Sequence, residues 1–246
     1  MPRLMFERPR RIEWEELAPR FGRMVAEPFE KGYALTVGNS LRRVLLAAVP
    51  GAAVAWVRVE PASLSPADTT SLLLNAKKLV VRLTAGETAT ARLSATGPTT
   101  VTAGNLSGAG VEILNPDLVL ATLEAGARLT LEVGVRIGRG YVSADRHPEP
   151  VPAGAIALDA AFSPIRRVNY AVEMSRLGNI TDYEKLVVEI STDGSITPDQ
   201  SLLWAAKLLR DHFDLFTPTG AEEEDDDPAG ASPAGLGTVG EAGRRA

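Results

Sequence analysis

The residues that could do chemistry are few and scattered. His147 and His212 are far apart, and neither has a second histidine at a spacing that would form a metal site. Asp193 and Asp199 fit a turn and the first turn of a helix, and the acidic run at 222–227 is typical of a solvated spacer. There is no phosphate-binding glycine loop, nucleophile elbow or cysteine. The sequence therefore predicts no catalytic centre, no metal site and no cofactor.

A pair of arginines offers a different chemistry. Arg42 and Arg43 lie within a segment whose apolar residues recur at helical spacing, namely Val37, Leu41, Val44, Leu45 and Ala48. On a helical wheel, Arg43 lies opposite this apolar stripe and Arg42 on its flank. Two interpretations remain open: both arginines are simply solvated, or they bind carboxylates of a partner, for which the guanidinium fork is well suited.

The element that must position this pair is a helix. Thr36 or Asn39 could cap its start, and Pro50-Gly51 ends it. A short strand at residues 23–28 and a turn at 30–32 precede it.

A second helix is predicted near the end of the chain. Thr197 acts as its N-cap, Pro198 as its first residue, and the helix runs to about Phe216. Its apolar residues cover an arc of about 200°, which is wider than one packing face requires. The excess fits either a dimer interface or a helix enclosed within a larger core.

Between these helices the sequence alternates in the manner of strands. Strands are predicted at residues 53–60, 80–84, 88–95, 129–137, 168–174 and 186–190, with a helix at 69–79 capped near Asp68. The strand at 129–137 should have one face in the core and the other in water. Residues 147–152 form an irregular proline-rich loop, and Asp193-Gly194 suits a hairpin turn.

Composition limits the possible functions. The 246 residues carry a net charge of −5, and the acidic segment 221–246 accounts for all of it, because the first 220 residues hold 24 basic and 24 acidic side chains. A body without net positive charge lacks the footprint of a nucleic-acid-binding domain. No apolar run is long enough to span a membrane, the N-terminus does not resemble a secretory signal, and the absence of cysteine fits the cytoplasm. Residues 221–246 are expected to be disordered.

Several segments together resemble the N-terminal domain of the bacterial RNA polymerase alpha subunit family. The strongest match is EPFEKGYALTVGNSLRRVLL at residues 27–46. Further matches follow in the same order as in the family, at residues 74–82, 111–117, 138–142, 159–168 and 181–186.

The resemblance implies an α+β fold in two subdomains. A dimerisation subdomain, a sheet plus two helices, is built from two separated segments, and a mostly β subdomain is inserted between them. The change of pattern near Gly51 and the return of strands after Pro152 divide the chain accordingly into residues 1–51 with 154–220, and 52–153. In the family the first and last helices pack against their counterparts in a homodimer, which implies interface roles for Leu41, Val44, Leu45, Leu202, Leu209, Phe213 and Phe216.

The resemblance also implies a surface for the two large polymerase subunits, beta and beta-prime. It carries over onto Arg43 and Leu46, with Arg42 beside them, onto Lys77, and onto Leu158 and Ile165. Lys78, next to Lys77, could take over a charge role. The segment 61–71 is shorter than in the family and lacks its His-Glu motif. The family's C-terminal, DNA-binding domain has no counterpart in this sequence, where an acidic tail follows.

The leading hypothesis is therefore a homodimeric scaffold on which the large catalytic subunits of DNA-directed RNA polymerase assemble for transcription. On this hypothesis the chain is a subunit of a nucleotidyltransferase without catalytic residues of its own. The alternative is an alpha-like paralogue that dimerises and regulates polymerase without forming a normal core. A free-standing enzyme is the third possibility, and no convergent set of acid, base and nucleophile supports it.

The neutral body predicts no direct sequence-specific contact with DNA. A fluorescently labelled promoter duplex titrated with the protein should show only weak association that disappears as salt is raised, because such binding would be purely electrostatic. Tight binding that discriminates the promoter from a scrambled duplex would contradict this expectation.

Overall fold

The computed structural model describes residues 6–60, 65–148, 150–177 and 180–217. The first segment forms β1 (Arg11–Ala18), β2 (Phe21–Phe29) and α1 (Tyr33–Ala48). The middle of the chain forms β3 (Pro50–Glu60), α2 (Pro66–Ala76), β4 (Val81–Leu83), β5 (Thr88–Thr96), β6 (Thr99–Thr102), β7 (Val111–Ile113), β8 (Val119–Leu123), β9 (Arg128–Arg139), β10 (Tyr141–Val142), β11 (Ile156–Ala157) and β12 (Ala160–Ala161). The last described segment forms β13 (Ile165–Leu177), β14 (Ile180–Thr192) and α3 (Pro198–Phe213), followed by a 3-10 turn over Asp214–Phe216. The segment 221–246, expected to be disordered, lies outside the described residues.

The first sheet joins the two ends of the chain. Its four antiparallel strands lie in the order β1-β2-β14-β13, so strand β2 pairs with a strand that follows it by more than 150 residues. Alternate residues of the two central strands, such as Met24 and Val188, point to one face, where α1 and α3 cover them. This packing forms a hydrophobic core that includes Leu45 of α1 and Ala205 of α3.

The middle of the chain forms a second, mostly β body. Strands β11-β3-β9-β5 make an antiparallel four-stranded sheet, and three two-stranded ribbons, β4-β7, β6-β8 and β10-β12, surround it. A separate core lies beneath this sheet, built from residues such as Val57, Leu72, Leu120 and Leu131. The predicted α+β class with a β-rich insert is confirmed.

The pairing of two short strands bears on where the chain returns to the first sheet. Strand β11 pairs with β3 and β12 pairs with β10, while Ile165 at the start of β13 belongs to the first core. Leu158 packs in the second core. We therefore propose that the dimerisation subdomain resumes between Ala161 and Ile165, some residues after the position that the sequence pattern suggests.

The two bodies meet closely at Gly51. A Cβ atom on Gly51 would lie 2.1 Å from the carbonyl oxygen of Phe162, so only glycine allows the outgoing and returning chains to cross here. Phe162 itself packs against Ala53 and Ala160 in a small cluster at this junction. The predicted change of pattern near Gly51 thus coincides with a steric requirement.

Helix α1 begins earlier than predicted. Thr36 and Asn39 were wrong as capping residues, because the N-cap is Gly32, whose φ of 82° makes the left-handed turn that starts the helix. Ala34 then lies one turn before Gly38 and extends the buried stripe toward the N-terminus.

Two further local predictions were wrong. A hairpin turn joins two paired strands, but Asp193-Gly194 follows the last strand, β14, and leads into helix α3. It therefore does not form a hairpin turn. Helix α2 was predicted at residues 69–79 with its cap near Asp68, but it spans Pro66–Ala76. It begins earlier because Ser65 caps it by accepting a hydrogen bond from the Asp68 amide.

Helix α3 starts after Thr197 as predicted, and its last turn tightens into the 3-10 turn that ends at Phe216.

Strand β9 is more enclosed than its alternation suggests. Its outer face was expected to be in water, but Glu132 and Arg136 on that face are buried. Two arginines, Arg58 and Arg92, pair with the Glu132 carboxylate from the neighbouring strands. A charged residue can be buried when neighbouring side chains satisfy it, and alternation along one strand does not reveal those neighbours.

Helix α1 receives its N-terminal cap from a residue that is distant in the sequence, on the neighbouring strand β14. It has no side-chain cap of its own and no acidic residue in its first turn. Instead, the amide of Gly32 donates a 2.8 Å hydrogen bond to Oε1 of Glu184 on β14. A carboxylate at this position satisfies a free amide and also lies at the positive end of the helix dipole. Glu184 therefore fixes the start of α1 to β14 of the first sheet.

This contact predicts a loss of stability on substitution. Glu184→Ala should lower the free energy of unfolding by about 1 kcal/mol, the usual loss for a capping side chain, and Glu184→Gln should lose less because its amide oxygen still accepts. Urea denaturation followed by circular dichroism measures both. Asp182→Ala, an exposed carboxylate on the same strand, serves as control and should change the value by less than about 0.5 kcal/mol. Equal losses for Glu184→Ala and the control would contradict the capping role.

Candidate protein–protein interface

Helix α1 presents one face to the sheet and another to the surface. Its buried residues are Ala34, Gly38, Leu41 and Leu45. A Cβ atom on Gly38 would lie 2.8 Å from both Leu186 Cδ1 and Tyr170 Cδ2, so the helix lies very close to β13 and β14 at this point. The outward face is therefore held in a fixed orientation by close packing on the inward one.

The outward face of α1 carries the arginine pair. Arg42, Arg43 and Leu46 are all exposed, as the helical spacing predicts. Within the ranges that the structure describes, no carboxylate pairs with either guanidinium. Both arginines therefore keep their hydrogen-bond donors available beside an exposed leucine, a combination that suits a protein contact.

Four of the residues assigned by resemblance lie in the interior of the single chain. Leu41 and Leu45 pack toward the first sheet, Ile165 is 6% exposed at the start of β13, and Leu158 is 4% exposed in the second core. Side chains this deep offer almost no area to a second chain in this conformation. The contacts assigned to them stay predictions.

Lys77 lies at the C-terminal end of α2, where it is the C-cap residue. Its Nζ is 2.8 Å from Oδ2 of Asp159, a residue between β11 and β12. The Lys77 ammonium, and after it the hydrogen bond from the Ala144 amide, hold the pKa of Asp159 below its usual range. Lys78 instead donates to the Asn75 side chain at 3.2 Å. The two neighbouring lysines therefore have different partners.

The apolar arc of α3 is only partly covered by its own chain. Leu202 and Leu209 are half-buried beside α1 and the sheet, whereas Phe213 is 63% and Phe216 is 84% exposed. Val44 of α1, the remaining residue assigned to the dimer, is half-buried against the first core. The wide arc is thus not explained by enclosure within the chain, because its C-terminal part lies in solvent.

Two more exposed leucines accompany these residues, and sequence reasoning missed both. Leu203 on α3 is 55% exposed, and Leu35 lies in the first turn of α1. Leu35 was overlooked because the helix was expected to start at Thr36 or later. Leu203 falls outside the apolar arc of α3. The only signal in the sequence was a single apolar residue on the polar side of the helix.

The opposite face of the first sheet is polar. Arg23 on β2 pairs with Glu15 on β1 at 2.9 Å and with Glu189 on β14 at 2.8 Å. Glu27 accepts from Arg11 at 2.9 Å and from Ser175 at 2.8 Å. These pairs span the strands and satisfy one another. Apolar surface suited to another chain is therefore concentrated on the helical side of the sheet.

The candidate catalytic residues have structural partners. Nε2 of His147 lies 2.7 Å from the carbonyl oxygen of Leu158, and Nδ1 of His212 lies 2.7 Å from that of Leu208. Asp193 accepts from the amide and the hydroxyl of Ser195. Among the described residues, no three histidine or acidic side chains are grouped as metal ligands. No described helix combines the length and apolar character needed to cross a membrane.

The comparison with protein families identifies the class of this fold. Residues 27–213 match the family described as the RNA polymerase Rpb3/Rpb11 dimerisation domain. The match begins at Glu27 in β2 and ends at Phe213, the last residue of α3. It therefore covers the last three residues of β2, helix α1, the whole insert, strands β13 and β14 and helix α3.

Curated relatives narrow the class further. The protein named DNA-directed RNA polymerase subunit alpha from Moorella thermoacetica is 49% identical over 222 residues, which cover 87% of this chain and 71% of the relative. Its namesakes from Symbiobacterium thermophilum and Alkaliphilus metalliredigens are 49% and 44% identical over 205 residues, 80% of this chain and 65% of each relative. The chain belongs to the family of DNA-directed RNA polymerase alpha subunits.

The match leaves part of each relative uncovered. The aligned residues span about two thirds of the length of these relatives. The comparisons thus bear on the two-body fold described above and not on the remaining third of the relatives.

Proposed function

We propose that this chain is a scaffold subunit of DNA-directed RNA polymerase that forms a homodimer and binds the two large catalytic subunits in the cytoplasm. The enzyme to which it contributes is a nucleotidyltransferase, and this chain supplies binding surfaces to it. The observation that carries the proposal is the exposed apolar end of α3 in a chain whose family is described as a dimerisation domain.

The dimer interface that we propose consists of the uncovered sides of α1 and α3. Phe213 and Phe216, at the C-terminal end of α3, are strongly exposed members of it, and Leu35 is exposed in the first turn of α1. Large aromatic side chains gain most from losing contact with water, and exposed large apolar patches mark sites of protein interaction. In a symmetric dimer both phenylalanines of each protomer would be buried, four side chains in all.

The large-subunit surface that we propose starts from the outward face of α1. Arg42, Arg43 and Leu46 are accessible there, and Lys77 is accessible at the end of α2. Leu158 and Ile165 support this surface from inside. A guanidinium can bind a carboxylate through two parallel hydrogen bonds, so we expect acidic residues on the partner opposite Arg43.

The alternative of a regulatory paralogue has no observation in its favour. The curated relatives are themselves named as alpha subunits. Of the shortened segment 61–71, which motivated the alternative, residues 61–64 lie outside the described residues, and the rest form the N-cap and first turns of α2.

The proposal is tested by purifying the tagged protein from its own cells and weighing intact complexes by native mass spectrometry. Two copies of this chain with one copy of each large polymerase subunit are expected. Two copies alone, or two copies with unrelated proteins, would contradict the scaffold role.

Removing the aromatic anchors should separate the dimer. The double variant Phe213→Ser, Phe216→Ser should weaken dimerisation at least about a hundredfold, because burying each phenylalanine contributes roughly 1.5–3 kcal/mol and both protomers are changed. Sedimentation velocity over a concentration series measures this change. Val119→Ser, at an exposed apolar residue on β8 of the insert, is the control and should leave the dimer intact. An unchanged dissociation constant in the double variant would refute the interface.

Arg43 should matter for the large subunit and not for the dimer. Arg43→Ala should weaken capture of a large subunit about tenfold or more, the usual effect of an arginine central to an interface, while sedimentation still shows a dimer. Arg43→Lys should restore only part of the affinity, because lysine lacks the planar fork. Lys31→Ala removes the same charge in the turn before α1 and is the control. Dissociation of the dimer in Arg43→Ala would contradict the assignment of faces on α1.

A further inference from the structure

The carboxylate of Asp159 connects three parts of the chain. Its Oδ2 is 2.8 Å from Nζ of Lys77 at the end of α2, and its Oδ1 accepts a 3.0 Å hydrogen bond from the amide of Ala144. One side chain therefore links α2, the segment after β9 and the segment that leads back to the first sheet.

The residue before Asp159 is held firmly in place. The amide of Leu158 donates to the carbonyl oxygen of Ala55 on β3 at 2.8 Å, and its own carbonyl oxygen lies 2.7 Å from Nε2 of His147. The Leu158 side chain packs in the second core. The backbone that carries Asp159 is thus fixed before the ion pair forms, which reduces the entropy lost in forming it.

This arrangement changes the expected role of Lys77. The Lys77 ammonium is not free to reach another chain, because it already binds the Asp159 carboxylate at 2.8 Å. To contact an acidic group on another chain, Lys77 would have to leave Asp159 or share its charge with it. Lys78, in contrast, bonds only a neutral amide oxygen within the described residues.

We propose that Asp159 is a positioning residue of the large-subunit surface, and that Lys77 contributes to that surface by fixing the end of α2 to Asp159 and not by a direct charge contact with the partner. This inference rests on the proposed function, because it concerns how the same surface is held. The relevant partner is a large polymerase subunit, for which the end of α2 and the residues around Ala144 form a single ordered patch.

A double-mutant cycle separates the two roles of Lys77. Capture of the large subunit by the dimer is measured for Lys77→Ala, Asp159→Asn and the double variant, each corrected for its folded fraction. If the pair positions the surface, each single variant weakens capture about two- to fivefold, as expected for an accessible ion pair, and the double variant is no weaker than either. If Lys77 contacts the partner directly, Asp159→Asn frees the ammonium and leaves capture unchanged or stronger, which would overturn the proposal.

Exchanging the two charges provides a partial rescue. Lys77→Asp combined with Asp159→Lys restores an ion pair in reversed orientation but not the carboxylate that accepts from the Ala144 amide, so capture should recover part of the way, above that of either single reversal. Each reversal alone places like charges together and should weaken capture more than the neutral substitutions do. A swapped variant as weak as the single reversals would overturn the positioning role of the ion pair, because restoring the pair would then have gained nothing. Lys78→Ala is the control and should leave capture unchanged.

Amide exchange in the free dimer keeps this test independent of the proposed function. Asp159→Ala removes the acceptor of the Ala144 amide and should speed its exchange about fivefold or more, whereas Asp159→Asn retains an acceptor oxygen and should change it little. If the unmodified protein captures no large subunit, the scaffold role fails, while exchange at Ala144 still reports on positioning. Unchanged exchange in Asp159→Ala would overturn the positioning role whatever the capture assay shows.

Discussion

The structure depends on the pairing of strands β2 and β14. These strands come from opposite ends of the chain, yet they are neighbours at the centre of the first sheet. Both α1 and α3 pack on the face that this pairing creates. The helix that carries the arginine pair and the helix that carries the exposed phenylalanines are therefore oriented by one long-range contact. The insert must fold back on itself for this contact to form, and its separate core allows that.

Close packing and capping fix the position of α1 on the first sheet. Gly38 allows α1 to lie against Tyr170 and Leu186, and Glu184 binds its first amide. Both contacts join α1 to strands β13 and β14, which come from the other end of the chain. Because α1 is fixed from below and at its start, Arg43 and Leu46 face outward in a set direction. A binding surface on a helix held in this way loses little freedom when a partner binds.

Charges are used differently on the two sides of the first sheet and in the insert. On the outer sheet face, Arg23 and Glu27 are paired with neighbours on other strands. In the insert, Glu132 is buried between two arginines, and Asp159 binds Lys77. Arg42 and Arg43 have no such partner among the described residues. Their guanidinium groups are therefore available for the contact with a partner that we propose.

The sequence by itself determined the periodic features. Alternation along 129–137 and helical spacing along α1 and α3 were sufficient to place these elements and to put Arg43 opposite the apolar stripe, because periodicity depends only on local backbone geometry. The order of motifs along the chain also indicated the family, and with it the two-segment architecture. The width of the apolar arc on α3 indicated a surface beyond the one that the chain itself covers.

Only the tertiary structure decided which of these residues remain accessible. Leu45 and Phe213 are both apolar residues on helices of similar pattern, yet one is in the core and the other in solvent, because the sheet lies beneath the first and ends before the second. The start of α1 depends on Glu184, and the burial of Glu132 depends on Arg58 and Arg92. The ammonium of Lys77 is paired because Asp159 lies beside it. In each case the residues that meet are distant in the sequence. Such pairings are fixed by the return of the chain and leave no local pattern. Sequence periodicity therefore identifies faces, and long-range contacts determine what each face meets.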